Sequence, residues 1–326
     1  MPASQASTMP GVSFVVPVYN KAPYLEGVLA AIRAQRGDFE REYLFVDDGS
    51  TDNSLELLRR LTEGWPTTVI EAQSNRGSAH ATNRAIALAR LPYLKFVDAD
   101  DLLVHDATDR LLRALHGSDA CLAYGEARSY EAGAPPDLAA PLPEVPQVER
   151  LRAPLKLALK NSLFNPTQFL ARTEAVRAVG GCDETIVFSQ EYSLTLRLAA
   201  KWDFLKLDTP LAFLPRSAPG RLSDDRGRQL KRVTLACASF LRDNPATPEP
   251  LARFACQRAA GRAWKFARRH LGARIGSEWH RLDVKSRLGL TGSAADFVER
   301  CAAVYDRASA EVQNAPGRNK AGAVGR

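Results

Sequence analysis

The 326-residue sequence has few cysteines and no long apolar run, and each shortage excludes something. Its five cysteines (Cys121, Cys182, Cys237, Cys256, Cys301) are scattered, odd in number and without C-x-x-C spacing. That argues against a disulfide framework or a zinc site, and a reducing cytosol fits best. No stretch of about 18 apolar residues occurs, so no membrane-spanning helix is expected. The start, MPASQASTMPG, has neither the basic nor the apolar region of a signal peptide, and residues 1–11 read as a disordered lead-in. No G-x-G-x-x-G follows the first apolar stretch and no G-x-x-x-x-G-K-[ST] appears, which removes dinucleotide-fold and P-loop readings. His80, His105, His116, His270 and His280 form no H-x-E or H-x-x-x-H spacing and read as surface or packing residues. The serines and cysteines lack a nucleophile elbow, and no internal repeat is found.

What is present is an ordinary globular composition, 45% hydrophobic and 25% charged, with an uneven charge distribution. From residue 221 onward 21 Lys and Arg face 10 Asp and Glu, a net +11, which leaves −4 in the first 220 residues. An acidic front and a basic back suggest two regions with different partners.

Along the front, short β-rich runs alternate with amphipathic stretches. VSFVVPVYN (12–20), REYLFVDDGS (41–50), TTVIEA (67–72) and YLKFVDADD (93–101) read as strands. Helices are expected over 22–35, where Pro23 suits a first turn, over 52–63 with Asp52 as its cap, and over 77–90. This alternation predicts a mainly parallel sheet with ligands at the carboxyl ends of its strands. DACLAYGEA (119–127) follows, and the Pro- and Ala-rich 131–147 reads as a surface loop. Residues 164–184 read as a strand, a short helix and a glycine stop, 189–202 as a helix, and 204–215 as two short strands. From about 228 the pattern is helical and basic, and 313–326 reads as a disordered tail.

Two acidic clusters close two of the strands: Asp47 and Asp48, then Asp98, Asp100 and Asp101. Like charges so crowded repel one another. A D-x-D at a strand end presents hard oxygens to Mg²⁺ or Mn²⁺, ions that complete their shell with water and substrate phosphates. A solvated turn is the ordinary reading of one isolated D-x-D. A second acidic strand end favours a ligand site.

Taken together, VVPVYNKAPYLEGVL, FVDDGSTDNS, NRGSAHATNRA and KFVDADD resemble, in order and spacing, the opening half of the family 2 glycosyltransferases, inverting enzymes of the GT-A fold. The resemblance spans about residues 12–125, continues more weakly through VGGCDE and QEYSLTLRLA to about 223, and does not reach beyond 225. It implies a GT-A domain over 12–225, with a nucleotide-sugar half (12–125) and an acceptor half (150–225), followed by a basic helical extension over 226–312. In its terms Pro17, Val18, Tyr19 and Asn20 line the nucleotide pocket, and Asp47, Asp48 or both bind the base, expected to be uracil. Asn75, Arg76 and Asn83 complete the donor contacts, with Ala99 between Asp98 near the ribose and Asp100 on the metal; Asp98 is a second metal-side candidate. A simple turn remains the other reading of Tyr19 and Asn20.

The family's acidic pair opening the acceptor-facing helix reads Gln190–Glu191 here. Glu191 is the expected general base, one methylene longer than the usual Asp; a first-turn acid favoured by the helix dipole is the other reading. The implied reaction moves a sugar from a nucleotide diphosphate donor, expected to be a UDP-sugar, to a saccharide or lipid-linked hydroxyl in cell-surface polysaccharide or lipopolysaccharide synthesis. Two further positions depart from the family pattern. Thr82 stands where a basic residue is frequent, so Arg76 or Arg84 is left to meet the diphosphate, and Ala218 stands where many relatives have a His, with Arg216 and Arg221 nearby. These departures keep open a degenerate member that binds nucleotide or partner proteins without turnover. The basic region with Trp264, Phe266 and Trp279 is either a solvated helical subdomain or a peripheral surface for anionic lipid. No nucleic-acid motif accompanies its charge.

Overall fold

The computed structural model describes residues 9–131, 134–142, 146–186, 190–216 and 226–306. Residues 1–8 of the expected lead-in, the tail, Ala218 and Arg221 fall outside the described residues, whereas residues 9–11, expected to be disordered, open the first strand. The chain divides into two compact units, residues 1–222 and 223–326.

The first unit is built on a nine-stranded sheet. Strands β1 (Met9–Val18), β2 (Phe39–Asp47), β3 (Thr68–Ala72) and β4 (Tyr93–Phe96) run parallel in the order β3-β2-β1-β4. Helices α1 (Ala22–Arg33), α2 (Ser54–Leu61) and α3 (Ser78–Leu88) connect them. The strands' apolar runs, such as Val12, Phe14 and Val16 in β1 and Tyr43 and Phe45 in β2, are fully buried, as strands covered on both faces require. Leu25, Val28, Leu29 and Ile32 of α1 pack into the same core.

The remaining strands are β5 (Leu102–Leu103), β6 (Leu122–Tyr130), β7 (Val148–Leu151), β8 (Phe169–Arg172) and β9 (Phe204–Pro215). Between them lie α4 (Ala107–His116), α5 (Leu155–Lys160), α6 (Thr173–Ala178) and α7 (Gln190–Ala199). The sheet is more mixed than alternation alone implies. Strand β8 enters antiparallel between β4 and β6, and β5 and β7 run antiparallel to β9.

Other expectations shift by residues. The fourth strand ends at Phe96 and not at 101; the chain then turns, with Asp101 N–H donating to Asp98 O at 3.1 Å. Helix α2 starts at Ser54 with Asn53 at its cap position. Asp52 instead bridges two helix starts, accepting from Ser54 N–H at 2.9 Å and Ala22 N–H at 3.2 Å. Residues 204–215 form one strand because β6 pairs with both of its ends, 204–206 and 210–215, shifting register around Tyr124, Glu126 and Ala127. Pro210 sits opposite Glu126 at that shift, where a missing N–H is tolerated. Gly125 leaves room there for Leu211, whose side chain a Cβ would overlap.

The second unit is helical: α8 (Arg226–Asp243), α9 (Glu249–His270), α10 (Glu278–Arg287) and α11 (Ala294–Ala302). Helix α11 packs on α8 and α9, and α10 on α9. Cys256, Ala260, Phe297 and Cys301 are buried in it. Ser277 and Ser293 cap α10 and α11 through their hydroxyls.

Candidate functional site

The loops leaving β1 and β2 are stitched together. Asn20 adopts φ 51°, a left-handed conformation that asparagine tolerates. Its side-chain oxygen accepts from Thr51 N–H at 2.7 Å and Asp52 N–H at 3.3 Å, and Asn20 N–H donates to Ser50 Oγ at 3.0 Å. Lys21 N–H donates to Ser54 Oγ at 2.8 Å. This stapling holds Pro17, Val18 and Tyr19 at the strand end, and Tyr19 is exposed there. Asn20 thus acts as a scaffold that ties the loop after β1 to the loop after β2.

Asp47 and Asp48 have separate occupations. Both are buried. Asp48 accepts from Gln73 Nε2 at 2.7 Å, Arg76 N–H at 2.8 Å and Gly77 N–H at 2.8 Å, so it builds the turn that enters α3. Asp47 Oδ1 accepts from Ser50 N–H at 3.0 Å, while its Oδ2 has no hydrogen-bond partner among the described residues. A buried carboxylate oxygen left open is costly unless a ligand meets it.

Behind β4 the acidic cluster is organised by two residues that the sequence reading passed over. Thr167, fully buried, accepts from Asp98 N–H at 3.0 Å and donates to Asp101 at 2.8 Å. Lys95, also fully buried, donates to the carbonyls of Thr167 at 2.6 Å, Phe96 at 3.1 Å and Phe169 at 3.2 Å. Burial pulls its ammonium down to about 7, with Asp101 and Asp98 pulling the other way. A lysine inside the apolar run YLKFV was the signal available in the sequence. Asp100 Oδ2 forms an ion pair with Lys21 Nζ at 2.5 Å.

A small chamber at this edge is lined by Pro17, Thr82, Asp98, Cys182, Glu191 and Leu194, among others. Glu191, in the first turn of α7, and Asp98 thus share one space although 93 positions separate them in the sequence. Burial pushes the Glu191 carboxyl up to about 7, and the nearby negative charge of Asp98 adds to the rise. Burial holds the Cys182 thiol up at about 12, so it is no nucleophile at neutral pH. The Thr82 hydroxyl is buried without a hydrogen-bond partner among the described residues.

Other expected residues lie differently. Asn83 ties α3 to the glycine turn: it donates to Cys182 O at 2.9 Å and Glu184 at 2.8 Å and accepts from Cys182 N–H at 2.7 Å. Gly181, at φ 68°, is required there because a Cβ would strike the Asn83 side chain. Arg84 is held by Glu71 and does not face the acidic cluster as a free cation. Arg216 pairs with Glu131 at 3.1 Å. Asn75 and Arg76 lie exposed at the start of α3, and Ala99 is buried between the two acids.

Among the described residues no group of three or more His, Cys, Asp or Glu side chains is placed to hold a metal by itself. The donor set nevertheless suits a hard divalent cation: the carboxylates of Asp98 and Asp100 flank one residue, and such ions complete their shell with phosphate oxygens and water.

A mostly parallel front sheet with a D-x-D in the turn just after β4, a second acidic strand end at β2 and a carboxylate across the chamber is the arrangement expected of the GT-A fold. The chain belongs to glycosyl transferase family 2, whose family model matches residues 13–180. It is 30% identical over 106 residues to poly-β-1,6-N-acetyl-D-glucosamine synthase of Staphylococcus aureus, covering 32% of this chain and 26% of that protein. It is 34% identical over 115 residues to teichoic acid poly(glycerol phosphate) polymerase of Staphylococcus epidermidis, covering 34% and 16%. The chain thus matches about a quarter or less of the length of these curated relatives. Its fold is similar to that of S. aureus TarS residues 1–349 in complex with UDP-GlcNAc, with TM-score 0.62, 15% identity, and 91% and 92% of the two chains covered. It is also similar to the mannosyltransferase PcManGT of Pyrobaculum calidifontis in complex with GDP-Man and Mn²⁺, with TM-score 0.58, 21% identity, and 94% and 88% covered.

Proposed function

We propose that this chain is an inverting glycosyltransferase that moves a sugar from a nucleotide diphosphate donor, a UDP-sugar by preference, to a hydroxyl of a saccharide or lipid-linked acceptor. The observation that carries the reading is Glu191 facing the same chamber as Asp98, with its carboxyl raised to about 7. A base poised near neutrality is suited to take a hydroxyl proton. Glu191 accepts the proton of the acceptor hydroxyl as that oxygen attacks the anomeric carbon. The bond from that carbon to the diphosphate oxygen breaks on the opposite face, its electron pair leaves with the nucleoside diphosphate, and configuration inverts.

The open oxygen of Asp47 takes the base edge, with Pro17, Val18 and Tyr19 beside it. Asp48, Asn20 and Asn83 hold the loops in register, and Asn75 and Arg76 stand at the diphosphate edge. Asp98 lies towards the ribose. Asp100, with Asp98 beside it, would hold Mn²⁺ or Mg²⁺, and what such an ion supplies when bound is neutralisation of charge on the departing diphosphate. The likeness to a poly-N-acetylglucosamine synthase and to a teichoic acid polymerase supports a role in the synthesis of cell-surface polymers, polysaccharide among them.

A lipid-linked acceptor would be met at the cytoplasmic face of a membrane, and the second unit supports a peripheral contact there. Ile275, Leu288 and Leu290 are exposed there, at 84%, 65% and 64%, with Arg274, Arg281, Lys285 and Arg287 close to them in the sequence. Exposed apolar side chains set among cations suit an anionic lipid surface. No helix among the described residues is long and apolar enough to cross a membrane.

A second reading, nucleotide binding without turnover, draws on Thr82 in place of a basic residue and on the occupation of Asp100 by Lys21. The test is release of nucleoside diphosphate from UDP-, GDP- and dTDP-sugars, beside calorimetric titration of UDP, GDP and dTDP with Mn²⁺ or with EDTA. Release from one donor class supports transfer. Nucleotide binding with no release from any donor supports the second reading.

A further inference from the structure

We infer that Lys21 is a built-in cation on the metal-side carboxylate, which a divalent ion must displace and which makes metal loading depend on the donor diphosphate. The inference rests on the reading of Asp100 as the metal-binding residue.

Lys21 is placed by its own backbone. It occupies the cap position of α1, its N–H donates to Ser54 Oγ at 2.8 Å, and its carbonyl accepts from Tyr24 N–H at 2.9 Å. From there its side chain spans the loop end of β1 to the loop end of β4, and Nζ reaches Asp100 Oδ2 at 2.5 Å. The side chains are 22% and 9% exposed, so the pair is partly shielded from solvent and its attraction is only partly screened. The ring of Tyr24 lies 5.7 Å from Nζ and offers the ammonium a second favourable contact.

The competition follows from charge. A carboxylate attracts a divalent ion through its negative charge, and an ammonium already on Asp100 cancels much of it. An ion bound to Asp100 Oδ2 and an ammonium at 2.5 Å from the same oxygen repel each other, so Lys21 has to leave as the ion arrives. Without nucleotide the released ammonium gains nothing but water. With a diphosphate present it gains a new anionic partner, and the diphosphate also supplies oxygens to the ion. Lys21 thereby couples the two ligands: each lowers the cost of binding the other. A protein so built stays unloaded until its donor arrives.

The test is Mn²⁺ binding to the full chain, read from the electron paramagnetic resonance signal of the free ion, with and without UDP. Lys21→Met keeps the aliphatic stem against Tyr24 and removes the charge; Lys21→Arg keeps the charge. Without UDP, K21M is expected to bind Mn²⁺ about tenfold more tightly than wild type, the low end of what an adjacent opposite charge does to a carboxylate. K21R is expected to match wild type, and UDP is expected to tighten Mn²⁺ binding less in K21M than in wild type. Asp100→Asn serves as the separate control. If D100N loses Mn²⁺ but K21M binds it as wild type does, the competition is wrong and the reading of Asp100 stands. If D100N binds Mn²⁺ as wild type does, or no protein binds it even with UDP, the metal reading itself falls and this inference with it. Equal tightening in K21M and K21R would also overturn it, because charge would then not be the cause.

Discussion

The Thr167 hydroxyl donates to Asp101 at 2.8 Å while accepting from the Asp98 N–H at 3.0 Å. One buried hydroxyl from the turn before β8 thus holds two members of the acidic turn after β4. Thr167→Val keeps the shape and removes both bonds, leaving buried polar groups unmatched. We expect a loss of about 1–3 kcal/mol in urea unfolding and a fall in turnover larger than the fall in nucleotide affinity. Thr167→Ser should recover most of both.

Lys95 makes stability depend on pH in a definite direction. Its folded value, about 7, lies below the unfolded 10.5, so above neutrality the unfolded chain binds the extra proton. The contribution of Lys95 to stability therefore rises with pH from about 7 towards 10.5. The buried thiols of Cys182, Cys237 and Cys301, pushed up to about 12, act oppositely once pH passes their ordinary value of 9. The comparison of wild type with Lys95→Met between pH 7 and 9 isolates the lysine. Wild type should gain on the variant across that window, and a constant difference would contradict this.

Asp47 and Asp48 should separate cleanly. Asp48 closes a turn with three donors, so Asp48→Ala is expected to destabilise the chain by about 2 kcal/mol or more in thermal or urea unfolding. Asp47 has one open buried oxygen, so Asp47→Asn should weaken UDP binding about tenfold by calorimetry at nearly unchanged stability. Reversal of the two outcomes would exchange their roles.

The carboxyl of Glu191, raised to about 7, predicts the acid limb of the rate profile. Transfer should fall as pH drops through about 7, because the protonated base cannot accept the hydroxyl proton. The sign for stability is also fixed: a carboxyl raised above 4.5 binds protons more tightly when folded, so its contribution is greatest at low pH and is lost as pH rises through about 7. Glu191→Gln should flatten that part of the stability profile.

Much of this arrangement was legible in the sequence. The β-rich runs ending in Asp47–Asp48 and Asp98–Asp101 marked two strand ends, and sheets of this kind bring such ends to one edge. Glu191 was legible through the resemblance, as the acid opening an amphipathic helix. What could not be read depends on pairing between distant segments. The antiparallel entry of β8 beside β4 is a choice of neighbour that no local pattern encodes. The division of labour between Asp47 and Asp48 depends on where the turn at Arg76 and Gly77 arrives. Lys21 and Asp100 are 79 positions apart, and nothing local links them. The expectation of two short strands over 204–215 failed for the same reason, since pairing with β6 decides the continuity of β9.

The most direct measurement is donor turnover in Glu191→Gln beside nucleotide binding in the same preparation. The account predicts UDP binding close to wild type with transfer reduced at least about a hundredfold, the usual weight of a general base. Transfer by the variant at the wild-type rate would contradict it.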